Sequence, residues 1–81
     1  MWRNFEMIYC KQPIGETTAW FKMSSKKTLR QSWSRLVAMA WKSEIDGQPQ
    51  CSELYITLQA QVCPASEVPD WAKQELKKLA G

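Results

Sequence analysis

Eighty-one residues with 44% hydrophobic and 23% charged content describe one folded domain over residues 1–81, not a disordered chain. The net charge of +3 is modest, and the absence of histidine excludes Ser-His and Cys-His nucleophile pairs and histidine metal sites. Three glycines leave no glycine-rich phosphate loop, and no run approaches the roughly 18 apolar residues of a membrane span.

Residues 3–11 alternate, with Phe5, Met7 and Tyr9 on one face and Glu6 on the other, which predicts a strand. Gln12-Pro13-Ile14-Gly15 has the residues of a hairpin turn, and residues 16–23 are rich in β-formers and predict the return strand. Trp20 and Phe21 are adjacent there, so they point to opposite faces.

Thr28 with Gln31 matches a capping box. Leu29, Trp33, Leu36, Val37, Ala40 and Trp41 then recur at helical spacing, which predicts a helix from Thr28 to about Glu44, stopped by Asp46-Gly47 and Pro49. On that reading Trp33 is core, and Trp33→Ala costs about 3–5 kcal/mol. Leu54, Ile56, Leu58, Ala60 and Val62 alternate with Glu53, Tyr55, Thr57, Gln59 and Gln61, which predicts one continuous half-buried strand over residues 52–63. Pro69, Asp70, Lys77 and Lys78 have the N- and C-terminal signatures of a last helix, with Trp71, Ala72, Leu76 and Leu79 able to face inward.

The expected fold class is therefore α+β. It is a small three-stranded antiparallel sheet with two helices packed on one face, in the order strand, strand, helix, strand, helix, and with the third strand beside the first.

Cys10, Cys51 and Cys63 are an odd number without CxxC spacing, which reads as free thiols in a cytosolic protein. A strand over 52–63 would also hold Cys51 and Cys63 too far apart to bond. The charge at the N-terminus breaks any hydrophobic run, so no signal peptide is expected. Residues 1–42 hold eight basic side chains against two acidic ones, and residues 43–81 hold three against six. These halves can complement each other in the fold or leave a basic face exposed.

No catalytic constellation, cofactor motif or metal-ligand spacing is legible, so the expected protein is not an enzyme and carries neither cofactor nor metal. Glu44 and Asp46 lie close in sequence, but a solvated helix end is their expected role. Trp2, Trp20, Trp41 and Tyr55 do not all fit on one inward sheet face, so a small binding protein is expected: an adaptor, regulator or inhibitor docking on a larger host or phage protein. Compact, Trp-rich chains of this kind are a style shared by phage and mobile-element accessory proteins. The candidate binding residues are Trp20, Trp41 and Tyr55 with Lys22, Lys26, Lys27, Arg30 and Arg35. The alternative partner is nucleic acid, with the Lys22–Arg35 cluster on phosphates and Trp20 and Tyr55 stacking on bases. A homodimer is a further option, and no membrane partner is expected.

Overall fold

The structure is a computed structural model and describes residues 7–24 and 29–80. Five antiparallel strands form one sheet: β1 (Met7–Ile14), β2 (Thr17–Ser24), β3 (Leu36–Lys42), β4 (Pro49–Tyr55) and β5 (Gln61–Cys63), in the order β4-β3-β2-β1-β5. A single helical turn, α1 (Leu29–Ser32), joins β2 to β3, and a 3-10 turn (Ala65–Glu67) leads into the one long helix, α2 (Asp70–Ala80).

This corrects the expected three-stranded, two-helix arrangement in three places. The predicted helix from Thr28 to Glu44 is one turn followed by β3. The predicted strand over 52–63 is the end of β4, a crossing segment and β5. Only the last part of that predicted third strand, Gln61–Cys63, lies beside the first as β5, while its start joins β4 at the opposite edge. Trp2, Phe5, Glu6 and the capping Thr28 lie outside the described residues.

The first hairpin forms as its residues require. Ile14 pairs with Thr17, leaving a two-residue turn in which Gly15 takes a φ of +60°. Glycine at the first turn position with a positive φ is the requirement of a type II′ hairpin. A Cβ at Gly15 would also collide with Glu44 Oε2, and that oxygen accepts a hydrogen bond from the Glu16 N–H at 2.8 Å. Glu44, in the loop after β3, therefore clamps the tip of the neighbouring hairpin.

The helical reading of residues 28–44 fails at Ser34, whose φ of +72° no continuing helix can hold. Beyond it, Leu36–Trp41 is an uninterrupted apolar run. A strand covered on both faces reads as such a run, and periodicity cannot separate it from a helix. Met39 is buried on one face and Ala40 on the other. Trp33, placed in the core by the helical reading, stands 39% exposed beside the Ser34 bend, and Leu36 is exposed too.

Two apolar clusters cover the two sheet faces. On the inner face, Cys10, Ala19, Phe21, Met23 and Met39 pack with Ile56, bordered by Ile8, Leu29, Val37, Leu54 and Ala60. On the helix face, Ala40 and Cys63 pack with Val68, Ala72 and Leu76, bordered by Tyr9, Trp20 and Trp71. Trp20 and Phe21 do lie on opposite faces, and both faces are covered.

β4 and β5 stand at opposite edges of the sheet. In a flat sheet they would lie about 19 Å apart, four strand spacings, which residues 56–60 could bridge only fully extended. Those residues instead contain a turn, closed by the Ala60 N–H on the Thr57 carbonyl at 3.1 Å. The sheet is therefore curled, and the segment crosses its inner face. Gln12 on β1 holds it there. Its Nε2 donates to the Tyr55 carbonyl at 3.0 Å, and its Oε1 accepts from the Thr57 N–H at 3.0 Å. Gln12 is only 4% exposed, so burial makes these bonds necessary. Ile56 and Ala60 reach the inner cluster while Leu58 sits 71% exposed on the turn and Val62 is exposed, contrary to the alternation expected of one strand.

The helix expected after Pro69 is present as α2. The Pro69 carbonyl accepts from the N–H groups of Ala72 and Lys73. Ala72 and Leu76 are buried, but Leu79 is exposed. Lys42 Nζ lies 4.9 Å from the centre of the Trp71 ring, a cation–π contact over the first turn of α2. The Lys11 ammonium pairs with the Glu67 carboxylate beside the turn that precedes it.

Candidate functional site

β1 begins, β2 ends, β3 begins and α2 ends at one end of the sheet, and their side chains line three adjoining depressions there. The first, on the inner side, is lined by Met7, Lys22, Met23, Arg35, Val37 and Ile56 among others. The second runs between α2 and β1, with Tyr9, Lys22, Asp70, Lys73, Gln74 and Lys77 around a volume of about 410 Å³. The third lies between them over Met7, Lys22, Val37, Ala38, Leu76 and Leu79. Lys22 borders all three, so they form one groove around it.

Local structure puts four cations on this groove. Lys22 is on the helix face of β2, opposite Tyr9 of β1. Lys73 and Lys77 are four residues apart on α2, which places them on one face of the helix, one turn from each other. Arg35 follows the left-handed Ser34, and its own carbonyl is held by the Ile56 N–H at 2.9 Å. Among the described residues none of the four makes an ion pair, and Asp70 is the one carboxylate that lines the groove. The floor is apolar, with Met7 and Leu79 about half exposed.

Of the residues singled out from sequence, Lys22 and Arg35 meet at this groove. Arg30 is exposed on α1, and Lys26 and Lys27 lie outside the described residues. Trp20 is half-buried against the cluster beneath α2. Trp41 is half-buried at the inner cluster, with its Nε1 donating to Ser52 Oγ at 3.2 Å. Tyr55 is exposed as expected, at the end of β4 opposite Leu36. The three aromatics are thus not on one surface. Lys73, Lys77, Met7 and Leu79 were missed. The two lysines sit in the acidic half of the chain, and only their four-residue spacing on the last helix could have marked them.

All three cysteines are free. Burial, with Cys63 nearby, pushes the Cys10 thiol up to about 11. Burial also raises Cys63, reinforced by Glu67 and opposed by Lys11, and it raises Cys51, with Glu75 adding to the effect. The thiolate needed for nucleophilic chemistry is disfavoured at each. Among the described residues no three His, Cys, Asp or Glu side chains come together to hold a metal, and no helix is long and apolar enough to cross a membrane. No protein-family model, curated protein or solved structure matches the chain.

Proposed function

We propose that this protein is a small non-enzymatic binding module, an adaptor, regulator or inhibitor, that docks on a larger protein through the groove around Lys22. The observation that carries the reading is four cations that make no ion pair among the described residues, set around an apolar floor. Charge of one sign in a cleft attracts the opposite sign, and an apolar floor rewards an apolar anchor. The fitting partner surface is an acidic, amphipathic segment whose carboxylates meet Lys22, Arg35, Lys73 and Lys77 and whose apolar side chains cover Met7 and Leu79.

Nucleic acid is the second reading, favoured by the same cations. It is weakened by the position of Trp20, because base stacking on Trp20 and Tyr55 together needs both on one open surface, and Trp20 packs beneath α2.

Fluorescence anisotropy with two probes separates the readings: an acidic peptide alternating Glu and Leu, and single- and double-stranded oligonucleotides. The peptide is expected to bind, and Lys22→Glu with Lys73→Glu is expected to weaken it at least tenfold while circular dichroism stays unchanged. Met7→Ser with Leu79→Ser should weaken it independently of salt. Peptide binding that ignores both pairs of changes refutes the groove. Oligonucleotide binding at about 50 mM salt that falls steeply as salt rises would move the assignment to nucleic acid.

A further inference from the structure

The outer edge of β4 has a hydrogen-bonding pattern that can be read residue by residue. At one end of the β3–β4 pairing the Ser43 N–H donates to the Gln48 carbonyl at 3.0 Å, and at the other the Ile56 N–H donates to the Arg35 carbonyl at 2.9 Å. Bonded positions recur every second residue in an antiparallel ladder. Gln50, Ser52 and Leu54 therefore turn their backbone groups toward β3, and Pro49, Cys51, Glu53 and Tyr55 turn theirs outward. Among the described residues no strand pairs with this outer edge. It carries neither lysine nor bulge, its one charge is Glu53, and its proline is the first residue, so the usual protections of an exposed edge are sparse.

The outward groups are unequal. Proline has no N–H, so position 49 offers only a carbonyl. The Tyr55 carbonyl is already satisfied by Gln12 Nε2, so at position 55 only the N–H still needs a partner. Cys51 and Glu53 offer both. Antiparallel registers centred on Cys51, Ser52 and Glu53 would each pair most of two copies of this edge with the outward groups facing. The one centred on Cys51 sets the Glu53 carbonyl opposite Pro49, which has no N–H to give. Two others remain. One sets Glu53 opposite its own copy, which opposes two carboxylates and presents an occupied carbonyl at Tyr55 to the Cys51 N–H. The other is centred on Ser52, and sets Cys51 opposite Glu53 and Pro49 opposite Tyr55.

In that second register every free group finds a partner. Cys51 and Glu53 exchange both bonds, twice over by symmetry. The Tyr55 N–H donates to the Pro49 carbonyl of the other copy, again twice. The one carbonyl that proline cannot serve is the one Gln12 has filled. No like charges stand directly opposite. The β5 edge, three residues long, is a poor alternative to this seven-residue one.

We infer that this protein pairs with a second copy of itself through the outer edge of β4, antiparallel and centred on Ser52, to form a closed two-fold dimer with one continuous sheet.

Analytical ultracentrifugation of the full chain tests this. The wild type is expected to sediment as two chains. Glu53→Pro removes an outward N–H and no β3 bond, so it should sediment as one chain with an unchanged circular dichroism spectrum. A second variant needs no disruption of the fold. In this register the two Ser52 Cα atoms face each other at about 4.5 Å, within disulfide range. Ser52→Cys, combined with Cys51→Ser to remove the neighbouring thiol, should give a covalent dimer on mild oxidation. A wild type that sediments as one chain up to its solubility limit overturns the inference, as does an assembly larger than two. A dimer that survives Glu53→Pro and yields no Ser52→Cys crosslink overturns the edge as its site.

Discussion

The two faces of the sheet are covered by different means. The helix face is covered by α2, one amphipathic segment, with the small residues Ala40 and Ala72 at the contact. The inner face is covered by the chain folding over itself. Ile56 and Ala60 reach it from the crossing segment, Leu29 from α1, and Gln12 ties the crossing from 43 and 45 residues away. The helix layer is one locally specified element that docks, whereas the inner layer is assembled from several separate segments that must each arrive. The inner layer should therefore be the less replaceable of the two.

Truncation inside the inner cluster should have the largest effect. Phe21→Ala removes a fully buried ring and should cost about 3–5 kcal/mol by urea denaturation. If Leu76→Ala, on the helix face, costs more, the ranking of the faces is wrong. Gln12→Ala leaves the Tyr55 carbonyl and the Thr57 N–H without their partner and should cost about 1–3 kcal/mol. Hydrogen exchange sharpens that test, because protection should fall first at Thr57 and along β5.

Cys10 gives an effect with a defined sign. Its folded value, about 11, lies above the ordinary 9.0, so the fold favours the neutral thiol. The stability this contributes is whole below pH 9 and is lost as the pH climbs through about 11. The loss should be up to about 3 kcal/mol, the full rise from 9.0 to about 11 at about 1.4 kcal/mol per pH unit. Thermal melts of Cys10→Ala should show a flatter decline over that range than the wild type, and an equal slope would deny the thiol this role. The smallest change is expected at Trp33. Exposed at the bend before β3, it should cost less than about 1 kcal/mol when cut to alanine. The 3–5 kcal/mol of the helical reading would mean that the bend is misplaced.

The same contrast explains what was legible in the sequence. The first hairpin and α2 are set by local chemistry: Gly15 supplies the positive φ, and Pro69, Asp70 and the terminal lysines mark a helix. β3 was misread because coverage on both faces erases alternation, and an apolar run at 36–41 fits a helix equally well. The stretch 52–63 kept its alternation across a turn that contains neither glycine nor proline. That turn is made by Thr57, whose Oγ1 accepts from the Gln59 N–H at 3.2 Å. At the groove, Lys22 and Arg35 were legible as part of a basic cluster. Lys73 and Lys77 read as helix-end cations, and only the docking of α2 beside β1 and β2 brings them to Lys22.

Gln12 holds the crossing segment mainly by its peptide groups, the Tyr55 carbonyl and the Thr57 N–H, with the Thr57 hydroxyl donating to the same Oε1 at 3.5 Å. Such a latch is indifferent to most of the residue types it fastens. Over generations the outward positions around it can drift, and new partners can be sampled there, while the architecture beneath stays the same.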